Sequence, residues 1–180
     1  MKITGNVFVV TGAGNGMGRE VTLQLLRAGG RVAGVDLSEA GLEETKHLAG
    51  DASVRLTTHQ LSVADRAAVE ALPDAVIAAH GRVDGLLNIA GIIQPFVHVE
   101  DLTIEQIEKV VAVNFWGTLY MIKAFLPKLK LRPAACLVDV SSMGGLVPVP
   151  GQGAYGASKA AVKLLTEALY AELRGTKVAV

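Results

Sequence analysis

Asn6-Val7-Phe8-Val9-Val10-Thr11-Gly12-Ala13-Gly14-Asn15-Gly16-Met17-Gly18 is the stretch that decides the fold. Val7 to Val10 is apolar at every position, as in a strand buried on both faces, the habit of parallel sheets. A turn with Gly12, Gly14, Gly16 and Gly18 follows at once, and the next apolar positions predict a helix over about 17–28. Strand, glycine-rich turn and helix, in that order, bring backbone N–H groups and the positive end of a helix up to a pyrophosphate with no side chain in the way. The spacing is Thr-Gly-x-x-x-Gly-x-Gly. Met17 stands where the commoner Gly-x-Gly-x-x-Gly pattern needs glycine, and no Gly-Lys-Ser/Thr follows, so this is not a P-loop. Gly12, Gly14, Asn15, Gly16, Met17 and Gly18 are the candidate cofactor contacts of this turn.

Downstream, a second strand over 31–36 ends in Asp36. A carboxylate there accepts hydrogen bonds from an adenosine ribose and repels a 2′-phosphate. Neither Asn15 nor Leu37 supplies a cation to welcome that phosphate, so Asp36 argues for NAD over NADP. Ser38 is placed to cap the next helix, whose apolar positions cover 42–48, and a third strand is expected over 53–58. Ser62-x-x-Asp65 resembles a capping box for a helix over about 63–80, with Pro73 as a point for a kink or break. A fourth strand over 83–88 runs into Asn88-Ile89-Ala90-Gly91. Asn88 can bond neighbouring backbone and steady a cofactor cleft, with Ala90 and Gly91 leaving room for a ribose; the same residues suit a plain turn equally well.

Thr103-x-x-Gln106 is a second capping box, heading a helix over about 104–129. Asn114 sits inside that helix among Val110, Val111, Val113, Phe115 and Trp116. A polar side chain in apolar company needs a partner, so Asn114 either stabilises a local kink or holds something functional. Phe115 and Trp116 read as core or subunit-contact residues. A fifth strand over 134–140 delivers Ser141 and Ser142. The apolar, glycine- and proline-rich loop 143–152 suits a pocket wall or a tight connection.

The next helix, expected over about 153–174, carries Tyr155 and Lys159 one turn apart on one face. An ammonium beside a phenol favours the ionised phenol, which then passes a proton near neutral pH. Ser142, at the end of the preceding strand, faces that helix and can donate a hydrogen bond to the same phenol oxygen. A sixth strand begins at 176. A strand that stops in mid-run at a sheet margin exposes an unpaired edge, so a fragment, or a tail beyond Val180, is expected.

The 180 residues suit one domain, and 51% hydrophobic with 19% charged residues describes a well-buried globular chain. Seventeen basic residues balance seventeen acidic ones with no basic cluster, which leaves a nucleic acid no electrostatic footprint. Cys136 is the only cysteine, so no internal disulfide is possible, and an inert buried thiol is expected. The first apolar run is too short for a signal peptide, and no stretch reads as a membrane span. The expectation is a cytoplasmic protein.

Thr-Gly-x-x-x-Gly-x-Gly, Asp36, Asn88-x-Ala90-Gly91, Asn114, Ser142 and Tyr155-x-x-x-Lys159 occur in the order found in the short-chain dehydrogenase/reductase family, which the chain resembles from end to end. The resemblance implies an α/β fold: a doubly wound parallel sheet (Rossmann fold) in three layers, as one domain over 1–180, with the last strand and the substrate lid missing. It implies Tyr155 as general acid/base, Lys159 holding the nicotinamide ribose and favouring the ionised tyrosine, Ser142 orienting the substrate oxygen, and Ser141 as its non-catalytic neighbour. Asn114 resembles the residue that kinks its helix and positions a relay water through its backbone. Leu37, Leu61, Asn88, Ala90 and Gly91 join the cofactor contacts, as do Tyr155 and Lys159. The sequence departs from the family at Leu87, where an asparagine is usual, and at Gln60-Leu61, where many members carry an acid and a valine beside the adenine.

The activity implied is hydride transfer between NAD and a secondary alcohol or ketone, hydrophobic to judge by loops 92–103 and 143–152. A homodimer or homotetramer is implied through the helices over 104–129 and 153–174. The alternative is a non-catalytic nucleotide-binding or scaffold protein of the same fold. A serine hydrolase fails, because Ser142 lacks the flanking glycines of a nucleophile elbow. None of His47, His59, His80 and His98 shows a motif pairing it with Ser142.

Overall fold

A computed structural model describes residues 1–180. Six parallel strands, β1 (Val7–Thr11), β2 (Arg31–Asp36), β3 (Leu56–Gln60), β4 (Gly85–Asn88), β5 (Ala135–Asp139) and β6 (Val178–Ala179), form one sheet in the order β3-β2-β1-β4-β5-β6. The order reverses between β1 and β4, and a crevice opens beyond the carboxyl ends of the strands at such a reversal. β1 is buried at all five positions, because successive side chains enter opposite layers. Val7 and Val9 join a cluster with Leu86, Met121, Phe125 and Leu137, whereas Phe8 and Val10 pack with Leu25, Leu26 and Val32.

Helices α1 (Gly16–Arg27) and α2 (Glu39–Leu48) cover one face. The other face carries α3 (Arg66–His80), α4 (Ile104–Val111), α5 (Thr118–Lys130) and α6 (Gly153–Glu172). This is the three-layer doubly wound architecture that the family resemblance implies.

Several boundaries differ from the sequence reading. Residues Gly50–Arg55 form a 3₁₀ turn, so β3 starts at Leu56 rather than near 53. Arg55 is held in that turn by donating to Leu26 O at 2.6 Å and Gly30 O at 3.2 Å, at the carbonyl end of α1. The Ser62-x-x-Asp65 box does not form. Asp65 is the cap, accepting from Ala68 N at 3.1 Å, which frees Val63 to bury itself against Gly117. Helix α3 runs unbroken through Pro73. Ser38 caps α2 by accepting from Gly41 N at 3.0 Å, which starts that helix at Glu39. The Thr103–Gln106 box forms in both directions.

A π-helical stretch, Ala112–Gly117, joins α4 and α5 into one 27-residue rod, Ile104–Lys130. By length and composition that rod is long and apolar enough to cross a membrane, contrary to the sequence expectation. It carries Met121, Ile122, Phe125 and Leu129, which are buried in the core. Trp116 is not core: it is 45% exposed and stacks on Tyr120 on the outer face of the rod. Cys136 is half-buried, and burial pushes its thiol pKa up.

Candidate active site

The glycine turn leaves β1 and enters α1 with its backbone pressed together. A side chain on Gly18 would lie 2.0 Å from Gly12 O, and one on Gly14 would lie 2.7 Å from Asp36 Cγ. Asn15 caps α1 without a side-chain hydrogen bond, and the first turn of α1 holds no acidic residue. The positive end of α1 is therefore open, with Asn15, Gly16 and Met17 exposed around it. This fits the pyrophosphate of a dinucleotide. Thr11 fastens the turn to the neighbouring strand end by accepting from Ile89 N at 3.0 Å and Ala90 N at 3.1 Å.

Asp36 ends β2 beside this turn. Its Oδ2 accepts from Gly14 N at 2.8 Å and its Oδ1 from Ser38 N at 2.9 Å, which aims the carboxylate at the loop. Leu37 next to it is exposed, and Leu61 is partly buried and donates its N–H to Asp36 O. The sequence reading missed Arg19. Its guanidinium bonds Gly14 O and reaches Glu44 at 2.6 Å and Thr45 at 3.1 Å, so the cation near the turn is paired. No spacing rule pointed to it, because its acidic partner lies on the next helix.

At the end of β4, Asn88 is buried and turns sideways: its Nδ2 donates to Asp139 Oδ1 at 2.8 Å rather than to backbone. Ala90 and Gly91 form the floor beside it. A side chain on Gly91 would lie 3.2 Å from Lys159 Nζ and 3.3 Å from Asn114 Oδ1, so only a glycine leaves these two groups uncrowded.

Asn114 is fully buried in the π-helical stretch. Its Oδ1 accepts from Ile92 N at 2.8 Å, and its Nδ2 donates to Ile92 O at 2.9 Å and Ser158 Oγ at 3.0 Å. Ser158 in turn donates to Tyr155 O at 2.7 Å. Asn114 thus ties the loop after β4 to the helix that carries Tyr155 and Lys159.

Lys159 is 5% exposed, and its Nζ donates to Val140 O at 2.8 Å. Burial lowers its pKa from the ordinary value, and the Asp139 carboxyl opposes that shift. The loop after β5 lies against the same helix. Ser141 donates to Lys159 O at 2.9 Å, and side chains on Gly145 and Gly156 would strike α6 and Gly144 backbone at 2.8 and 2.6 Å. This close approach seats Ser142, whose Oγ accepts from Gly144 N at 3.2 Å, in the turn that packs on the Tyr155 ring. Ser142, Tyr155, Lys159 and Asn114 are therefore gathered around the first two turns of α6, with no hydrogen bond joining Ser142 Oγ to the Tyr155 hydroxyl.

Gln94 was not anticipated. It is buried, accepts from Tyr155 N at 2.6 Å and donates to Gly151 O at 3.2 Å, so it holds the start of α6 and the loop in front of it. Exposed Phe96, Val99, Met143, Leu146 and Val147 give the two loops an apolar surface. A concavity of about 310 Å³ between α3 and α5, lined by Arg66, Trp116 and Tyr120 among others, shares no residue with this site.

An open helix end, a carboxylate at the tip of β2 and a Tyr-x-x-x-Lys helix lie together at a strand-order reversal, the place where open α/β sheets take their ligands. The family model described as short chain dehydrogenase matches residues 6–180, and the chain belongs to that family. It is 40% identical over 169 residues to the putative oxidoreductase SadH of Mycobacterium tuberculosis, covering 94% of this chain and 61% of that protein. It is 35% identical over 178 residues to 2-(R)-hydroxypropyl-CoM dehydrogenase of Xanthobacter autotrophicus, covering 96% and 70%. The structure of a short chain dehydrogenase/reductase from Burkholderia phymatum in complex with NAD superposes with a TM-score of 0.95 at 32% identity, over 99% of this chain and 64% of that one. The chain thus spans about three fifths of the length of the first of these relatives.

Proposed function

We propose that the protein transfers a hydride between NAD(H) and a hydrophobic secondary alcohol or ketone, in the cytoplasm. The observation that carries this reading is Lys159. It is a buried ammonium with no carboxylate within ion-pair distance, one helical turn from Tyr155 and beneath the Gly91 floor of the cleft. Bound NAD supplies the hydride acceptor, and NADH the donor in the reverse direction. The Ser142 hydroxyl donates to the substrate oxygen and fixes it. The Tyr155 oxygen takes the hydroxyl proton as the carbinol carbon loses its hydride, and the product is the ketone. Lys159 holds the ribose and supplies the positive field that favours this proton transfer. Asn114 keeps the Ile92 loop and α6 in register and offers its backbone to a relay water. Gly12, Gly14, Asn15, Gly16, Met17 and Gly18 hold the pyrophosphate, Asp36 and Leu37 the adenosine ribose, Leu61 the adenine side, and Asn88, Ala90 and Gly91 the nicotinamide side. Asp36 disfavours a 2′-phosphate, and the paired state of Arg19 supports NAD over NADP. The apolar loops favour a hydrophobic substrate. The relatives named as dehydrogenases and oxidoreductases support the reaction class.

The exposed outer faces of the Ile104–Lys130 rod and of α6, with Trp116, Leu164 and Tyr170, support self-association as a homodimer or homotetramer. A monomer in light scattering at micromolar concentration would rule that out.

The deciding test is a panel of secondary alcohols with NAD or NADP, read by nicotinamide absorbance. Tyr155→Phe should lower turnover by about 10³-fold and leave NAD binding intact. Parental turnover in that variant overturns the assignment of Tyr155. NAD binding with no turnover on any substrate favours the scaffold reading instead.

A further inference from the structure

Helix α6 begins without a cap of its own. Gln152 stands at its N-cap position and makes no side-chain hydrogen bond there. The acceptor for the first turn comes from the segment after β4, where Gln94 Oε1 accepts from Tyr155 N at 2.6 Å. The Nε2 of the same side chain donates to Gly151 O at 3.2 Å. A backbone N–H only donates and a backbone carbonyl only accepts, so the two contacts fix which end of the amide is which. Gln94 is 4% exposed, which shields both bonds from water. Its neighbours hold the same two places. Gly151, in the left-handed region at φ +81°, lies so close to Phe96 that a side chain on it would meet the ring at 3.0 Å. One on Gly153, the first residue of α6, would meet Val99 at 2.9 Å.

We infer that Gln94 is a positioning residue for Tyr155, and that it makes the seating of loop 143–152 and the placing of the first turn of α6 one event. This rests on the role proposed for Tyr155 above. Lys159, one turn later, is tied to the end of β5 through Val140 O and Ser141. Tyr155 lies ahead of that tie, in the turn whose N–H groups have no acceptor within the helix. Its backbone is gripped at both ends from the segment after β4. Asn114, bonded to Ile92, reaches Tyr155 O through Ser158, and Gln94 takes Tyr155 N. The second bond of Gln94 runs to the far end of the loop that carries Met143, Leu146 and Val147. A substrate that orders this loop thereby orders the turn that aims the tyrosine hydroxyl. The task needs an acceptor and a donor on one uncharged terminal group, which an amide supplies and a carboxylate does not.

Two substitutions separate the two bonds. Gln94→Met removes both at nearly constant length. Gln94→Glu keeps the acceptor for Tyr155 N but, when ionised, has no hydrogen for Gly151 O. With NAD and the alcohol that the wild type oxidises best, Gln94→Met should lower kcat by up to about 10²-fold, as a misplaced reacting group does, and raise the KM for the alcohol. Gln94→Glu should keep most of kcat and raise that KM alone, and the KM should return toward the wild-type value as acid protonates the new carboxyl. KM for NAD should be unchanged in both. Amide hydrogen exchange reads the tether without turnover: Tyr155 N–H should exchange faster in Gln94→Met than in the wild type or Gln94→Glu, with Val9 of β1 unchanged. Parental kcat in Gln94→Met, or an equal loss of kcat in both variants, overturns the inference. Should Gln94→Met fail to fold, Gln94→Glu decides, and a KM for the alcohol equal to that of the wild type at every pH overturns it. A wild type that turns over no alcohol overturns the enzymatic reading alone; Tyr155 exchange that is unchanged in Gln94→Met then overturns the inference too, and faster exchange upholds the tether.

Discussion

Asp84, buried, and Asp139, half-buried, sit at opposite ends of the same pair of strands, and their surroundings make them different acids. Asp84 stands just before β4, at the amino edge of the sheet, with its side chain 2% exposed. Its Oδ2 accepts from Val7 N at 2.9 Å and Arg82 Nε at 2.8 Å, and its Oδ1 accepts from Arg132 Nε at 2.8 Å. Burial alone would push this carboxyl up, but the Val7 N–H and the two guanidinium groups outweigh it and hold the pKa below the ordinary value. Asp139 ends β5 at the carboxyl edge, has only an amide and a hydroxyl as hydrogen-bond partners, and is pushed up. Hydrogen bonds to fixed cations close the amino edge as a clamp on β1, β4 and the segment after α5. The carboxyl edge holds Lys159, buried and without an ion-pair partner, and that edge is where the crevice at the strand-order reversal opens.

The largest effect expected from breaking this contrast is at the clamp. Asp84→Ala leaves Arg82 and Arg132 without their carboxylate and Val7 N without an acceptor, and should cost about 3 kcal/mol of stability. For a chain of this size that is a fall of roughly 6–12 °C in thermal midpoint. Turnover per folded molecule should change little, because none of these groups lies at the carboxyl edge. A variant with parental melting would show that the clamp is not a stabilising device.

The two acids should also make stability depend on pH with opposite signs. The folded pKa of Asp84 is lowered, so its contribution is complete above the ordinary carboxylate range and is lost as pH falls through the folded value. The folded pKa of Asp139 is raised, so its contribution is complete at low pH and is lost as pH rises from the ordinary carboxylate range through the raised value. His80 and His59, lowered chiefly by burial, add a further loss as pH drops below the ordinary histidine range. Melting curves across pH should lose in part, in Asp84→Ala, the fall in stability at acid pH, and in Asp139→Asn the fall that sets in as pH rises out of the ordinary carboxylate range. Equal slopes in wild type and both variants would contradict the assignment.

The sequence made the cleft legible where the chemistry lies in short spacings. Thr11 to Gly18 between a strand and a helix, and Tyr155 with Lys159 one turn apart, need only local geometry to be read. Asn114 was legible as a polar residue that needs partners, but its partners, Ile92 and Ser158, were not. Asn88 was read as a group for neighbouring backbone; its partner is Asp139, 51 residues away on the next strand, and no local pattern announces a pairing across a sheet. The same holds for Gln94, which looks like any loop glutamine until the fold brings it to Tyr155 N across 61 residues. Asp65 displaced Ser62 as the cap of α3 because burying Val63 against Gly117 decides where that helix begins, and that contact spans two elements.

The finest test compares one hydrogen bond from each edge. Arg132→Met removes a charged donor from Asp84, and Thr166→Val removes a neutral one from Asp139 at nearly constant shape. Each should cost about 1 kcal/mol at neutral pH, since one bond is lost while the carboxyl keeps others. The costs should part under two treatments. Salt screens a partly exposed guanidinium, and acid protonates its carboxylate, so the penalty of Arg132→Met should shrink in both. The Thr166 hydroxyl carries no charge to screen, so the penalty of Thr166→Val should not change with salt. It should grow as pH rises and Asp139 ionises, because the Thr166 hydroxyl then donates to a carboxylate. Should the Thr166→Val penalty fall with salt as the Arg132→Met penalty does, the contrast between charged donors at the amino edge and uncharged donors at the carboxyl edge fails.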